Sequence, residues 1–365
     1  MKIGILTFHF ACNYGAVLQC YALQRFLSDS GHDVEIIDYR PASVAGGYRW
    51  FDLHRFWGMT PAKFWRKTSS EIKVIGDRKR RYEAFDAFVR KRLRLSEPVK
   101  NPDGMSSAAG NYDIIIAGSD QIWNRKLTKG TDPLYWGGFL RNGSTAMISY
   151  AASMEDGFDR ITEDVVRKYL PRFNALSVRE PSLAQRLMAL LPLTDVAVTA
   201  DPTLLLSQKQ WDDVSAPAPI EEPYLLFYQV RTSSKAYELA EKLAESKGLK
   251  LVCLSAKVEL ENSKETAAAS PEEFVSLFRH ASFVVTTSFH GTVFSIVFHK
   301  DFVCPAVDDG KNSRQDSLLS ALGLEDRVVN DMTHSSLPAI DWEKVEKAKA
   351  GMLETSYGFL KSCGL

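Results

Sequence analysis

Cysteine is scarce in this chain. The five that occur, at 12, 20, 253, 304 and 363, form an odd and scattered set with no Cys-x-x-Cys and no histidine at zinc-finger spacing. That excludes a disulfide framework and a structural metal site, and it points to a reducing cytoplasm. Net charge is also lacking: 45 Lys and Arg balance 45 Asp and Glu, so no global field calls for nucleic acid or a membrane. No apolar run approaches the roughly 18 residues of a membrane span, and the opening MKIGILTFHF is short of a signal peptide's apolar stretch. A soluble, unprocessed chain is expected. The Gly-x-Gly-x-x-Gly pattern of dinucleotide sites is missing as well.

What is present is an α/β rhythm. A chain of 365 residues exceeds the size, about 250–300 residues, at which single cores stop growing, so two domains are expected. KIGILTF (2–8) reads as a strand, AVLQCYALQRFLSDSG as a helix stopped by Gly31, and DVEIIDY (33–39) as the next strand. Such a βαβ unit specifies a parallel sheet. The pattern continues with 113–118, 146–152, 175–180 and 195–200, then crosses a proline-spaced stretch, Ala216 to Pro223, that reads as a linker. Strands at 224–230, 250–256, 282–288 and 301–307 follow. The expected architecture is two doubly wound (Rossmann-like) domains, 1–207 and 208–340, facing a cleft with ligands at the carboxyl ends of the strands. A last helix from Asp341 would pack back on the first domain, giving a third segment, 341–365.

An insertion from about 44 to 100 breaks the rhythm. It carries Tyr48, Trp50, Phe51, Phe56, Trp57, Phe64 and Trp65, and from Arg49 to Leu95 there are 14 Lys or Arg against 5 Asp or Glu, a local net of +9. One reading is a helical excursion with a local aromatic core and solvated charges. The other is a peripheral surface, 48–95, that docks on anionic lipid or on an acidic, lipid-linked saccharide.

The chemistry-bearing residues fall at strand ends. Asn13, Tyr14 and Gly15, in the turn after the first strand, open a helix whose amino terminus suits an anion or a hydroxyl, and a merely structural turn fits equally. Gly118-Ser119-Asp120-Gln121-Ile-Trp123-Asn124 follows the run DIIIA; its polar groups and indole suit sugar hydroxyls and a sugar ring, against a plain Asx turn. Arg179 ends the run ALSV and either pairs with a carboxylate such as Glu180 or grips an anion across the cleft. In TTSFHGTVF, Ser288, Phe289 and His290 occupy a strand-to-helix elbow, the strand ending near Thr287 and the helix beginning near Gly291. The helix dipole and the absence of neighbours would disfavour the histidine's cation there until an anionic ligand restored it, which is the behaviour of a general acid. Lys311, Ser313 and Arg314 add a polar, cationic loop before another helix.

These residues, in order, resemble the polysaccharide pyruvyl transferase family: the opening NYGAxLQxYALQ, GSDQIWN, SYAAS, SVRE, DPTLLL, SFHG and the tail NSRxxSLLSALGL, over nearly the whole chain. The resemblance implies a fold similar to GT-B glycosyltransferases, phosphoenolpyruvate as donor substrate with no further cofactor and no metal, and a pyruvate ketal on a sugar as product. His290 matches the family histidine proposed as general acid, and Arg179 an arginine that holds the donor's anionic groups. Many members carry an arginine two places before that histidine, where this sequence has Ser288. Because the donor carries about three negative charges, at least two cations must meet it, and Lys311 or Arg314 would then substitute. The resemblance further implies a sugar or lipid-linked oligosaccharide acceptor; the scarce, unpaired cysteines place the expected enzyme in the cytoplasm, and the docking reading of 48–95 would place it at the inner face of the membrane. Two rival readings are a sugar-nucleotide glycosyltransferase on the same architecture and a non-catalytic saccharide-binding relative.

Overall fold

Strand residues are apolar and largely β-branched, which suits strands covered on both faces. A computed structural model describes residues 1–45, 61–140, 145–154, 158–218, 220–230, 232–255, 266–306, 313–329 and 337–365, with only the backbone of 61–74 and of 313. Strands β1 (Lys2–Leu6), β2 (Asp33–Ile36), β3 (Ile114–Ala117) and β4 (Ala146–Ser149) form a parallel sheet in the order β2-β1-β3-β4. Single bridges, Ile148 to Ala175 and Ala152 to Val178, carry it on to β5 (Leu176–Val178) and its parallel partner β6 (Val196–Val198). A second parallel sheet, in the order β11-β10-β9-β7-β8, contains β7 (Tyr224–Gln229), β8 (Lys250–Ser255), β9 (Phe283–Thr286), β10 (Phe302–Pro305) and β11 (Val328–Val329). The fold is therefore α/β with two doubly wound, Rossmann-like sheets. Among the strands of the described residues, β11 alone escapes the sequence pattern, because two residues carry no periodicity.

One core runs through both sheets. It joins Ile3, Ile116 and Ile148 of the first to Tyr228, Val284 and Phe302 of the second. The helix Tyr14–Asp29 lies between them because Asn13 caps it, Oδ1 accepting from Ala16 N at 3.3 Å, and because its first three turns are buried, mostly through apolar or small side chains such as Tyr14, Val17, Leu18 and Tyr21. The carboxyl-terminal helix Trp342–Ser362 spans the two as well: Ser356 Oγ accepts from Ala200 N at 2.9 Å, Tyr357 stacks on Phe26, and Trp342 stacks on His299.

The insertion forms the helix Pro61–Arg92, and the described part of it is structural. Phe85 and Phe88 enter the shared core. Arg81, 3% exposed, lies 4.8 Å over the Tyr14 ring and donates from Nη1 to the Ser255 carbonyl at the end of β8. Exposed charges are taken up along the helix by Lys79–Glu83 and Arg90–Asp86 pairs. The aromatics at 48–57 lie outside the described residues. Among the described residues no helix is long and apolar enough to cross a membrane.

Candidate active site

In open α/β sheets, ligands bind beyond the carboxyl ends of the strands where the strand order reverses. The order reverses between β1 and β3 in one sheet and between β7 and β9 in the other, and both reversals open on one cavity of about 110 Å³. Asn13, Asp120 and Gln121 line it from the first sheet. Tyr228, Val230, Thr287, Ser288, Phe289 and His290 line it from the second, with Arg314 and Gln315 from the helix Ser313–Leu322. A larger cavity of about 660 Å³ lies elsewhere, against Asp77, Arg80, Glu222, Lys250 and Glu273. Glu222 and Lys250 precede or begin their strands, so it sits at the end of the sheet opposite to where such folds do chemistry, and none of its lining residues is a histidine or cysteine.

Local chemistry explains how His290 is presented. β9 stops at Thr286, Ser288 caps the helix Phe289–Val297 by accepting from Gly291 N at 3.4 Å, and His290 is the second helical residue. The helix thus begins about two residues earlier than its pattern suggests, and the Ser288 hydroxyl is committed to the cap. Glycine at 291 is required, because a Cβ there would lie 2.1 Å from Thr286 Oγ1. Across the seam, a Cβ on Gly15 would lie 2.0 Å from His290 Nδ1, so the bare glycine lets the imidazole rest on the first turn of the helix Tyr14–Asp29. The His290 side chain is 12% exposed.

Its Nε2 faces Asp201 Oδ2 at 3.5 Å. Asp201 stands just past β6 and is wholly buried; Oδ1 accepts from Thr203 N at 3.0 Å and Thr203 Oγ1 at 2.6 Å, and Oδ2 accepts from Arg179 Nη1 at 2.6 Å. Burial opposes the Asp201 charge, but His290, Arg179 and Thr203 outweigh it and hold the carboxyl well below the usual carboxylate range. Arg179 is likewise penalised by burial and restored by Glu180, Asp201 and Asp120, which raise its pKa. Its guanidinium lies 4.6 Å from the Phe289 ring and 3.4 Å from Glu180 Oε1, which also accepts from Ser153 Oγ at 2.5 Å. Three buried polar atoms here have no hydrogen-bond partner: Arg179 Nη2, Glu180 Oε2 and His290 Nε2.

Of the candidates, Asn13, Asp120, Gln121, Ser288, Phe289, His290 and Arg314 line the cavity, with Gly15 behind the His290 ring and Arg179 behind the Phe289 ring. The structure does not bring the other candidates to the cavity. Tyr14 is fully buried, stacks on Phe274 at 4.5 Å and donates to the Ala269 carbonyl, so its hydroxyl is spent on packing the two sheets. Trp123 is a core residue, stacked on Trp136 at 4.9 Å and donating from Nε1 to the Tyr135 carbonyl; a buried indole with a satisfied N–H offers no face to a sugar. Gly118 and Ser119 are buried under the loop, Ser119 donating to Gln19 Oε1 and the Ala151 carbonyl, and Asn124 supports Gln121 from behind at 2.6 Å. Lys311 lies outside the described residues. The expectation that only an anionic ligand could balance a charge on His290 is corrected by Asp201. That carboxylate went unassigned in the sequence, although it ends an apolar strand as Arg179 does on the strand beside it. Among the described residues no group of three His, Cys, Asp or Glu is placed to hold a metal ion.

Comparison with known proteins bears on what this arrangement serves. The polysaccharide pyruvyl transferase family profile matches residues 13–309, which include His290, Arg179, Asp201 and most of the cavity lining. The chain belongs to that family. It is therefore a transferase, and the family implies a saccharide acceptor. No curated protein sequence matches this family member. Solved structures similar to it include a putative UDP-N-acetylglucosamine 2-epimerase from Listeria monocytogenes, 10% identical over 98% of this chain and 89% of that one with a TM-score of 0.49. A glycosyltransferase from Streptomyces sp. SF2575 is 14% identical over 97% and 96%, with a TM-score of 0.39. At such distances the likeness concerns chain architecture only.

Proposed function

We propose that this transferase moves the enolpyruvyl group of phosphoenolpyruvate onto a sugar of a polysaccharide or lipid-linked saccharide, closing a pyruvate ketal and releasing phosphate. The observation that supports it most is the imidazole of His290, part-buried at a cavity between two strand-order reversals and backed by a buried carboxylate. His290 donates its proton to C3 of the donor, turning the methylene into a methyl and C2 into an oxocarbenium-like centre. One sugar hydroxyl adds to C2. The C2–oxygen bond to phosphate breaks, the second hydroxyl adds, and of the two hydroxyl protons one returns to His290 and one leaves on hydrogen phosphate.

Charge decides which residues meet the donor. Arg179 already faces two carboxylates, Asp201 and Glu180, so its Nη2 is the one edge left to take a donor oxygen. Arg314 is the second cation, and it lines the cavity itself; its Nη1 and Nη2 lie at 2.9 and 3.1 Å from the end of the Gln121 amide. It supplies the role that an arginine at 288 would fill. Asp120 and Asn13 are left for the sugar hydroxyls.

The test is phosphate release from labelled phosphoenolpyruvate with a library of lipid-linked and nitrophenyl glycosides. Turnover by the wild type, reduced roughly 10²–10⁴-fold in His290→Gln, is the expected result for a lost general acid. Thermal stabilisation by nucleotide sugars and none by phosphoenolpyruvate would overturn the reading in favour of a sugar-nucleotide enzyme.

A further inference from the structure

Asp201 has more partners than an ion pair needs. Its Oδ1 is fixed twice by Thr203, through the backbone N–H and the hydroxyl, so the plane of the carboxylate is set before any other group approaches. The remaining oxygen, Oδ2, lies between a cation of the first sheet, Arg179 Nη1 at 2.6 Å, and His290 Nε2 of the second at 3.5 Å. One face of the imidazole, at Nδ1, meets Gly15, where no side chain intervenes. The ring is thus held between a fixed acceptor and a bare backbone. A separation of 3.5 Å is long for a hydrogen bond, and Nε2 is unpartnered in this state. Contacts of this kind between catalytic groups tighten when the substrate is bound.

We propose that Asp201 is the positioning residue of the site: it fixes the imidazole of His290 with one face on Gly15 and a ring proton on Nε2 directed at Oδ2. An acceptor on one ring nitrogen selects the tautomer, as a buried carboxylate does in hydrolase triads. The other charged groups around the ring are Arg179 and Glu180 beside Asp201, Asp120 acting through Arg179, and Arg314 across the cavity. The proposal rests on the pyruvyl-transfer reading only for its turnover measurement. If Asp201 served Arg179 alone, the imidazole would be indifferent to it.

The experiment labels histidine with ¹⁵N and assigns the His290 ring signals by their loss in His290→Gln. The wild-type spectrum is then compared with those of Asp201→Asn and Thr203→Val. We expect the ring shifts to move in Asp201→Asn and, in the same direction but by less, in Thr203→Val, which keeps the charge and removes the hydroxyl tether. In steady-state assays Asp201→Asn should lower kcat by about 10²–10⁴-fold with KM nearly unchanged, and Asp201→Glu should restore part of it. Ring signals identical in wild type and in every variant that folds overturn the proposal, and Thr203→Val alone decides it if Asp201→Asn does not fold. Should the ring signals move while the wild type shows no turnover of phosphoenolpyruvate, the role of Asp201 stands and the donor assignment falls.

Discussion

The tightest constraint at the residue scale is the absence of a side chain at position 15. Replacing Gly15 with Ala would place a methyl 2.0 Å from His290 Nδ1 and 2.4 Å from Cε1, so either the imidazole or the first turn of the helix Tyr14–Asp29 must shift. Overpacking of this kind costs about 1–3 kcal/mol, while a displacement near 1 Å at a reacting group can cost roughly 10² in rate. Gly15→Ala should therefore lose much more turnover than stability, measured as phosphate release beside a urea titration. Unchanged kcat would mean that the imidazole is not the reacting group. The same scale shows where residue reasoning failed. Trp123 and Tyr14 were legible as unusual residues at strand ends, but an aromatic side chain there gains as much from packing as from binding, and nothing local separates the two. Asp201 was hidden for the opposite reason: an Asp before Pro reads as a turn, and its partners lie 22 residues back at Arg179 and 89 ahead at His290.

Among the elements, the strands were the most legible, because doubly covered parallel strands must be apolar on both faces and few other segments are. The insertion helix was not, since its basic composition fits a solvated face, a lipid surface or a buried bolt alike. The described part of Pro61–Arg92 uses its charges in two ways. Exposed i,i+4 pairs such as Arg90–Asp86 contribute only about 0.3–0.5 kcal/mol each. Arg81, by contrast, is stacked on Tyr14, 5.6 Å from the Phe85 ring, and bonded to the Ser255 carbonyl, so it ties the helix to both sheets. Removing a charge-assisted hydrogen bond and a desolvated cation–π contact together costs about 2–4 kcal/mol. Arg81→Ala should lower the unfolding free energy measured in a urea titration by that much, and Arg81→Lys should recover less than half, because an ammonium cannot stack and reach the carbonyl at once. A midpoint within error of wild type for Arg81→Ala would show that the helix is held by its apolar contacts, Phe85, Phe88 and Val89 among them.

At the scale of the whole molecule, the proline-spaced stretch from Ala216 to Pro223 suggests two separable units, yet the buried contacts ignore it. Tyr14 of the first sheet stacks on Phe274 of the second, Trp211 meets Phe294 at 4.9 Å, and the Tyr14 hydroxyl bonds across to Ala269. Interfaces between independent domains are comparatively polar, whereas this shared core is apolar and aromatic. Sequence periodicity reports which faces are apolar but not which apolar faces meet, so this continuity could not be read from the pattern. Its consequence for function is a fixed seam: His290 and Asp201 come from opposite sheets, and their 3.5 Å separation persists only if the sheets do not slide. Its consequence for folding is cooperativity, since neither half can expose its face without exposing aromatic surface worth about 25 cal/mol per Å². Differential scanning calorimetry should thus give one transition whose van't Hoff and calorimetric enthalpies agree, and Tyr14→Ala should lower its Tm without splitting it. Two resolved transitions in the wild type would mean that the sheets melt separately and that the seam is free to open.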